Sequence, residues 1–496
     1  MQPWRGRLPL SPSVHLLLKQ NPRRLTAGAP PPSGDHQLFE ENLSRDVVSA
    51  TAVLSSLGRE DRHGDAMLLF CRLLRLGLRP NQFTFGTTIH TATALRRADL
   101  GRQLHALATK MGLQCDVFVG SSLLDLYGKL GAVEEALEAF SAIANPNVVA
   151  RTALLAAFLK HRRLSAARRL FLGMPERNAT SWNAMIGGCS KMGLNEESLL
   201  LFVEMCREGT RPNQSTFPSV LSTAGNAAAL RLGQAVHASA TKHLGDPADV
   251  FVGNALISFY SKCGSPEDAL LVFRRLRRRN LVTWNAILCG HAQNGRGREA
   301  LALYNTMREE EGYEPNEVTL LGVLSACSHA GLVDDGRACF RRAKEETPQM
   351  LRPEHYACMV DMLARHGRVA EAHRFMAEET PFRPGIGFWK AALGGRLVQG
   401  EQRWAEAVAG RIEELGPPPD AASWVLLSNV YSAAGSWRRA AAVRQEMKER
   451  GVKRSPGCSW IEVGGRVQVF FNGDRAHPLA EEIYAVLDLC LSSSII

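Results

Sequence analysis

Apolar residues recur three and four positions apart in runs of about a dozen, the spacing that lines one face of an α-helix. Trp182, Met185 and Ile186 form one such set. The runs come in pairs. The first of a pair often stops at a glycine, as at Gly131, Gly264, Gly295 and Gly331, because glycine enters the left-handed conformation that closes a helix without a Cβ clash. Five residues on, a small residue opens the buried stripe of the second helix, and a large one follows four later. Ala136 and Phe140, Ala167 and Phe171, Ala269 and Phe273, and Ala300 and Tyr304 follow this rule. The alanine lets two helices approach, and the aromatic fills the space between neighbouring pairs.

The pairs are copies of one another. V-F-V-G-S-S-L-L-D-L-Y-G-K from Val117 matches V-F-V-G-N-A-L-I-S-F-Y-S-K from Val250, and T-S-W-N-A-M-I-G-G from Thr180 matches V-T-W-N-A-I-L-C-G from Val282. Arg79-Pro80-Asn81, Arg211-Pro212-Asn213 and Glu314-Pro315-Asn316 punctuate them. Starting each unit after these signals places the starts at Val47, Gln82, Val117, Val148, Ala179, Gln214, Val250, Leu281, Glu317 and Pro353. One helix pair cannot bury its own apolar face, so a period of this length predicts an all-α solenoid of stacked helix-turn-helix units.

Composition narrows the classes. The chain has 496 residues, of which 45% are hydrophobic, enough for a large core. No stretch approaches the roughly 18 apolar residues of a membrane span, so no membrane partner is expected. The 11 cysteines are odd in number and never spaced C-x-x-C, which argues against a disulfide framework and predicts small buried hydrophobes. A net charge of +10 permits a nucleic-acid partner. Residues 1–34 contain no Asp or Glu but include Arg5, Arg7, Lys19, Arg23 and Arg24. That is the composition of an organelle transit peptide, which lies outside the fold.

These repeats resemble the plant pentatricopeptide-repeat proteins, in particular the subclass whose units cycle through 35-residue, 35–36-residue and 31-residue variants. The likeness runs from about Leu38 to Leu491. Residues 35–46 resemble the remnant of a truncated repeat, and 47–385 the repeat array. S-A-C-S-H-A-G-L-V-D-D-G from Ser325 is similar to the last long repeat, and H-Y-A-C-M-V-D-M-L from His355 to the last short one. F-W-K-A-A-L-G-G from Phe388, L-L-S-N-V-Y-S-A-A-G from Leu426 and G-C-S-W-I-E-V from Gly457 resemble the C-terminal extension of organelle RNA-editing factors. The resemblance implies a right-handed solenoid, ending over 386–496 in further helical pairs and a short tail.

It also implies base-reading residues. In that family the fifth residue of a unit and its last residue meet the edge of one base. Here the pairs are Thr51/Asn81, Ser121/Asn147, Thr152/Asn178, Asn183/Asn213, Asn254/Asn280 and Asn285/Asn316. Each fifth residue is polar where the buried pattern would accept an apolar one. Each terminal Asn also suits turn chemistry and helix capping. Second-position Val48, Phe118, Val149, Phe251 and Val282 are candidates for stacking against bases or for packing between helices. The intervening long units carry Gly86, Pro218 and Leu321 at the fifth position, so no code is assigned to them. The run Arg274, Arg275, Arg277, Arg278 and Arg279 suits a solvated face or phosphate contact.

Relatives with the longest extension carry a zinc deaminase built on H-x-E and C-x-x-C. This sequence has neither motif, and no P-loop or nucleophile elbow, so neither a cofactor nor catalysis is expected. The implied function is sequence-specific binding of single-stranded organelle RNA at a cytidine-to-uridine editing site. A deaminase-bearing protein and other editing cofactors would act in trans through residues 388–491. Splicing or transcript protection by occupancy, and a tetratricopeptide-like protein scaffold, are the alternatives. The basic leader points to mitochondria, with plastids the alternative. By the family's code, Thr or Ser with Asn favours adenine and Asn with Asn a pyrimidine, giving A-n-A-A-Y-n-Y-Y.

Overall fold

The computed structural model describes residues 47–245, 249–383, 385–393, 408–412, 414, 420–433, 435–452, 458–463, 466–471, 475 and 478–493. The leader at 1–34 and the remnant at 35–46 lie outside them. The chain divides into two compact units, 1–227 and 228–496, and each is a solenoid of helix pairs.

In the first unit the leading helices of successive pairs are Val47–Arg59, Gln82–Ala94, Val117–Leu130, Val148–Lys160, Ala179–Lys191 and Thr216–Asn226. Each packs on the leading helix of the next pair, so they form one layer. The trailing helices, from His63–Arg75 to Asn195–Arg207, form the other. The second unit opens with Leu230–Leu244 and repeats the plan with Val250–Lys262, Leu281–Gln293, Glu317–Ala330 and Pro353–Arg365 as leading helices. Gly131 and Gly331 close their helices at φ +89° and +75°, the left-handed conformation.

The core sits between the layers. Ala136, Ala167, Ala269 and Ala300 are fully buried. Phe171 meets Trp182 of the next pair edge-on with ring centroids 4.8 Å apart, and Phe273 meets Trp284 in the same way at 4.7 Å. The aromatic on a trailing helix thus locks one repeat to the next, as apolar stacking requires.

Two features differ from the sequence reading. The C-terminal extension holds, besides helices, an antiparallel hairpin of Cys458–Val463 and Arg466–Phe471, with Trp460 opposite Val469. Both segments are short and rich in β-branched and aromatic residues, with Gly464 and Gly465 between them in sequence, which favours a strand pair over a helix. Nor are all the cysteines buried. Cys71, Cys189, Cys327 and Cys339 are, but Cys115 and Cys206 are exposed, the first in a connection between repeats and the second in the last turn of Asn195–Arg207.

Candidate nucleic-acid interface

Five of the six terminal asparagines are helix caps. Asn81, Asn147, Asn178, Asn280 and Asn316 hold extended backbone just before a leading helix. Their Oδ1 atoms accept the backbone N–H of Thr84, Ala150, Ser181, Thr283 and Thr319 at 2.9–3.0 Å. Asn213 accepts instead from the backbone of Ser215 at 3.0 Å and Thr216 at 3.2 Å. That turn delays its helix to Thr216 and puts Pro218 in the first turn, where a missing N–H removes no intrahelical bond. Capping consumes the oxygen of each amide. The six Nδ2 groups donate to no partner among the described residues, so each terminal Asn offers a donor.

The fifth residues fall into two chemical kinds. Thr51, Ser121 and Thr152 each donate their hydroxyl proton to the carbonyl four residues back, Val47, Val117 and Val148, at 2.7 Å. A hydroxyl has one proton, so these three offer acceptor lone pairs. Asn183 and Asn285 instead reach their terminal partners, with Nδ2 donating to Asn213 Oδ1 and Asn316 Oδ1, each at 3.1 Å. Their own Oδ1 atoms accept from the Thr216 and Thr319 hydroxyls at 2.7 and 2.6 Å, which leaves the second Nδ2–H as a donor. Asn254 differs from both, because its Oδ1 is buried without a partner.

The structure therefore joins Asn183 to Asn213 and Asn285 to Asn316 directly. It links Thr51 to Asn81 through Thr84, whose hydroxyl lies 2.7 Å from that of Thr51. No hydrogen bond joins Thr152 to Asn178 or Asn254 to Asn280.

The second-position side chains face solvent. Val48, Phe118, Val149, Phe251 and Val282 are exposed, Phe251 by 74%. Phe118, the least exposed of the five, also packs against the preceding leading helix. Phe83 and Val318, at the same position in two long units, are exposed as well. Sequence reasoning missed them because their units offered no polar fifth residue, although the second-position rule would have found both. Gly86 has a role that its lack of a side chain explains. A Cβ there would lie 2.2 Å from the Phe118 ring, so the glycine seats that ring, 5.3 Å from Phe83. Phe118, Ser121, Asn147 and Val149 line one concavity of about 520 Å³, which gathers two stacking candidates and one polar pair.

Of the basic run, Arg279 is structural. Its guanidinium lies 4.7 Å from the Phe273 ring, donates to Phe273 O at 3.2 Å and pairs with Glu311 at 2.8 Å. Arg274, Arg275, Arg277 and Arg278 are exposed. Among the described residues no group of three or more His, Cys, Asp or Glu side chains is placed to hold a metal, and no helix is long and apolar enough to cross a membrane.

Comparison with known proteins gives these repeats relatives. Sequence models described as "PPR repeat family" match residues 177–224 and 279–329, and "PPR repeat" matches 48–78, 121–143, 149–178 and 254–281. The "E motif" matches residues 400–462. A mitochondrial pentatricopeptide repeat-containing protein of Arabidopsis thaliana is 48% identical over 459 residues, covering 92% of this chain and 88% of its own. A second mitochondrial protein so described from the same plant is 35% identical, with 90% of this chain and 65% of its own covered. The crystal structure of the maize pentatricopeptide repeat protein PPR10 aligns with 83% of this chain and 64% of its own, at 20% identity and a TM-score of 0.46.

Proposed function

The chain belongs to the pentatricopeptide-repeat family, and from that premise we propose that it reads a single-stranded RNA sequence base by base in mitochondria. In this reading it is not itself a catalyst and marks a site for cytidine-to-uridine editing by a deaminase-bearing protein supplied in trans. The observation that carries the reading is the commitment of every reading group except Asn254 to a donor or an acceptor role.

Where Thr51, Ser121 or Thr152 offers an acceptor and the paired Asn offers Nδ2–H, the matching edge has an amino donor beside a ring-nitrogen acceptor. Adenine has that order. Guanine reverses both contacts, setting O6 against the hydroxyl lone pair and N1–H against the amide N–H. Cytosine shares adenine's order at the same spacing, but on a smaller ring that carries the edge less far from the sugar. Where Asn183 and Asn213, or Asn285 and Asn316, both offer N–H, the match is a pair of acceptors. Pyrimidines supply them through O2 and either N3 or O4, whereas the adenine amino group would face a donor. The first unit then reads A-n-A-A-Y, and in the second Asn285/Asn316 reads Y, with Asn254/Asn280 given Y by the family's code alone. Exposed Phe118 and Phe251 add stacking of about 1–3 kcal/mol per base.

Mitochondrial action is supported by the relatives so named and by the acid-free leader. The E motif favours editing over simple occupancy of the transcript. The test is a comparison of organelle transcripts with and without the gene. The proposal expects loss of conversion at one or a few cytidines lying a few nucleotides downstream of the read sequence. Altered splicing or transcript ends with every editing site intact would instead favour the occupancy reading.

A further inference from the structure

Three long units follow a reading pair directly, and the third residue of each is a threonine with no exposed surface: Thr84, Thr216 and Thr319. Thr216 has two acceptors in reach, Asn183 Oδ1 at 2.7 Å and Asn213 Oδ1 at 3.2 Å. Thr319 has Asn285 Oδ1 at 2.6 Å and Asn316 Oδ1 at 2.9 Å. One proton serves one of them best, and in both cases the fifth-position amide is nearer. At Thr84 the same logic applies by a different route. Thr84 has Asn81 Oδ1 at 3.0 Å and the Thr51 hydroxyl at 2.7 Å, and with the Thr51 proton directed to Val47 O at 2.7 Å the nearer contact is served by the Thr84 proton.

The fourth buried threonine of this kind behaves differently. Thr283, third in the unit after Asn254/Asn280, bonds Asn280 Oδ1 at 3.0 Å, while Asn254 Oδ1 has no partner. Identical residues at one position thus tether the reading side chain in two Asn/Asn pairs and leave it untethered in the third.

We propose that Thr216 and Thr319 are specificity-determining residues that never touch the base: each hydroxyl holds the fifth-position Asn so that it can show RNA only a donor. This rests on the base-reading function proposed above. Without the hydroxyl, Asn183 keeps one tether, from Nδ2 to Asn213, and its Oδ1 is released to turn toward an adenine amino group. Discrimination against adenine falls at that base alone. The untethered Asn254 already stands in that condition, so its position distinguishes pyrimidine from adenine less sharply in the unaltered protein.

The experiment measures affinity, at fixed salt, for single-stranded RNAs carrying a pyrimidine or adenine at one read position, using the full chain and its Thr216→Val, Thr216→Ser and Thr283→Val variants. Thr216→Val should lower the pyrimidine-to-adenine ratio at the Asn183/Asn213 base by about 3- to 10-fold, the worth of one buried hydrogen bond, and leave the other five positions unchanged. Thr216→Ser keeps the hydroxyl and should keep the ratio. Thr283→Val should not change selectivity at Asn254/Asn280. If Thr216→Val unfolds the protein, Thr319→Val read at the Asn285/Asn316 base makes the same test. A ratio equal to that of the unaltered protein in the valine variants, even with weaker overall binding, overturns the proposal and leaves a merely structural threonine. Absence of base preference at all six pairs in the unaltered protein overturns the reading function itself, and the two failures are told apart by that control.

Discussion

At Asn178 one amide is divided between two tasks. Its Oδ1 accepts the Ser181 N–H at 2.9 Å and starts a helix, while its Nδ2 is left for a ligand. The capping role of such asparagines was legible from their place at a unit's end before an apolar run, and at Asn81, Asn147, Asn213 and Asn316 from the preceding proline as well. Capping does not preclude the proposed reading, because it uses only the oxygen end of the side chain. The threonine tethers were not legible. Thr84, Thr216, Thr283 and Thr319 are one residue type at one position, and nothing in the sequence separates the three that reach a fifth residue from the one that does not. Gly86 was equally silent in sequence, since its importance lies in the ring above it. Gly86→Ala would put a methyl group 2.2 Å from Phe118, and the ring must leave its seat beside Phe83. We expect Gly86→Ala to weaken RNA binding by about 1–3 kcal/mol, as Phe118→Ala would, the range for a lost stacking platform. Titration of both variants with one RNA checks this, and unchanged affinity in Gly86→Ala would count against Phe118 as a platform.

Between elements, aromatic locks do the joining. Trp284 is 1% exposed and sits edge-on to Phe273, and its indole N–H has no partner among the described residues. The ion pairs that also cross from repeat to repeat, such as Arg177 with Glu208 at 2.7 Å and Arg368 with Asp334 at 2.8 Å, are partly exposed and contribute little each. Trp284→Ala should therefore cost about 3–5 kcal/mol by leaving a cavity between repeats. Trp284→Phe should cost much less, since it also removes an unsatisfied donor. Stability in a solenoid is local, so hydrogen exchange over residues 281–293 is the suitable readout. Equal losses for Ala and Phe would mean that the packing account of this junction is wrong. The helix pairs were readable from sequence because stacking forces the same buried residues to recur every 31 to 36 positions. The hairpin from Cys458 to Phe471 belongs to no repeat, and helical periodicity offered no warning of it.

For the whole molecule, a net charge of +10, half of it carried by the leader at 1–34, favours any RNA through its phosphates, an attraction that salt weakens and that carries no sequence information. Affinity alone therefore says little about base reading, and the decisive quantity is the ratio between RNAs differing at one base. Asn178→Asp isolates it. Aspartate caps a helix as well as asparagine does, so the helix beginning at Ala179 should form as before, yet the group offered to the base changes from a donor to an acceptor. Binding is measured at fixed salt with four single-stranded RNAs that differ only at the base read by Thr152 and Asn178. The unaltered protein should prefer adenine, and Asn178→Asp should shift that preference toward guanine by about 1–3 kcal/mol. Equal affinity for all four bases in both proteins would contradict the account and leave the paired residues as helix caps alone.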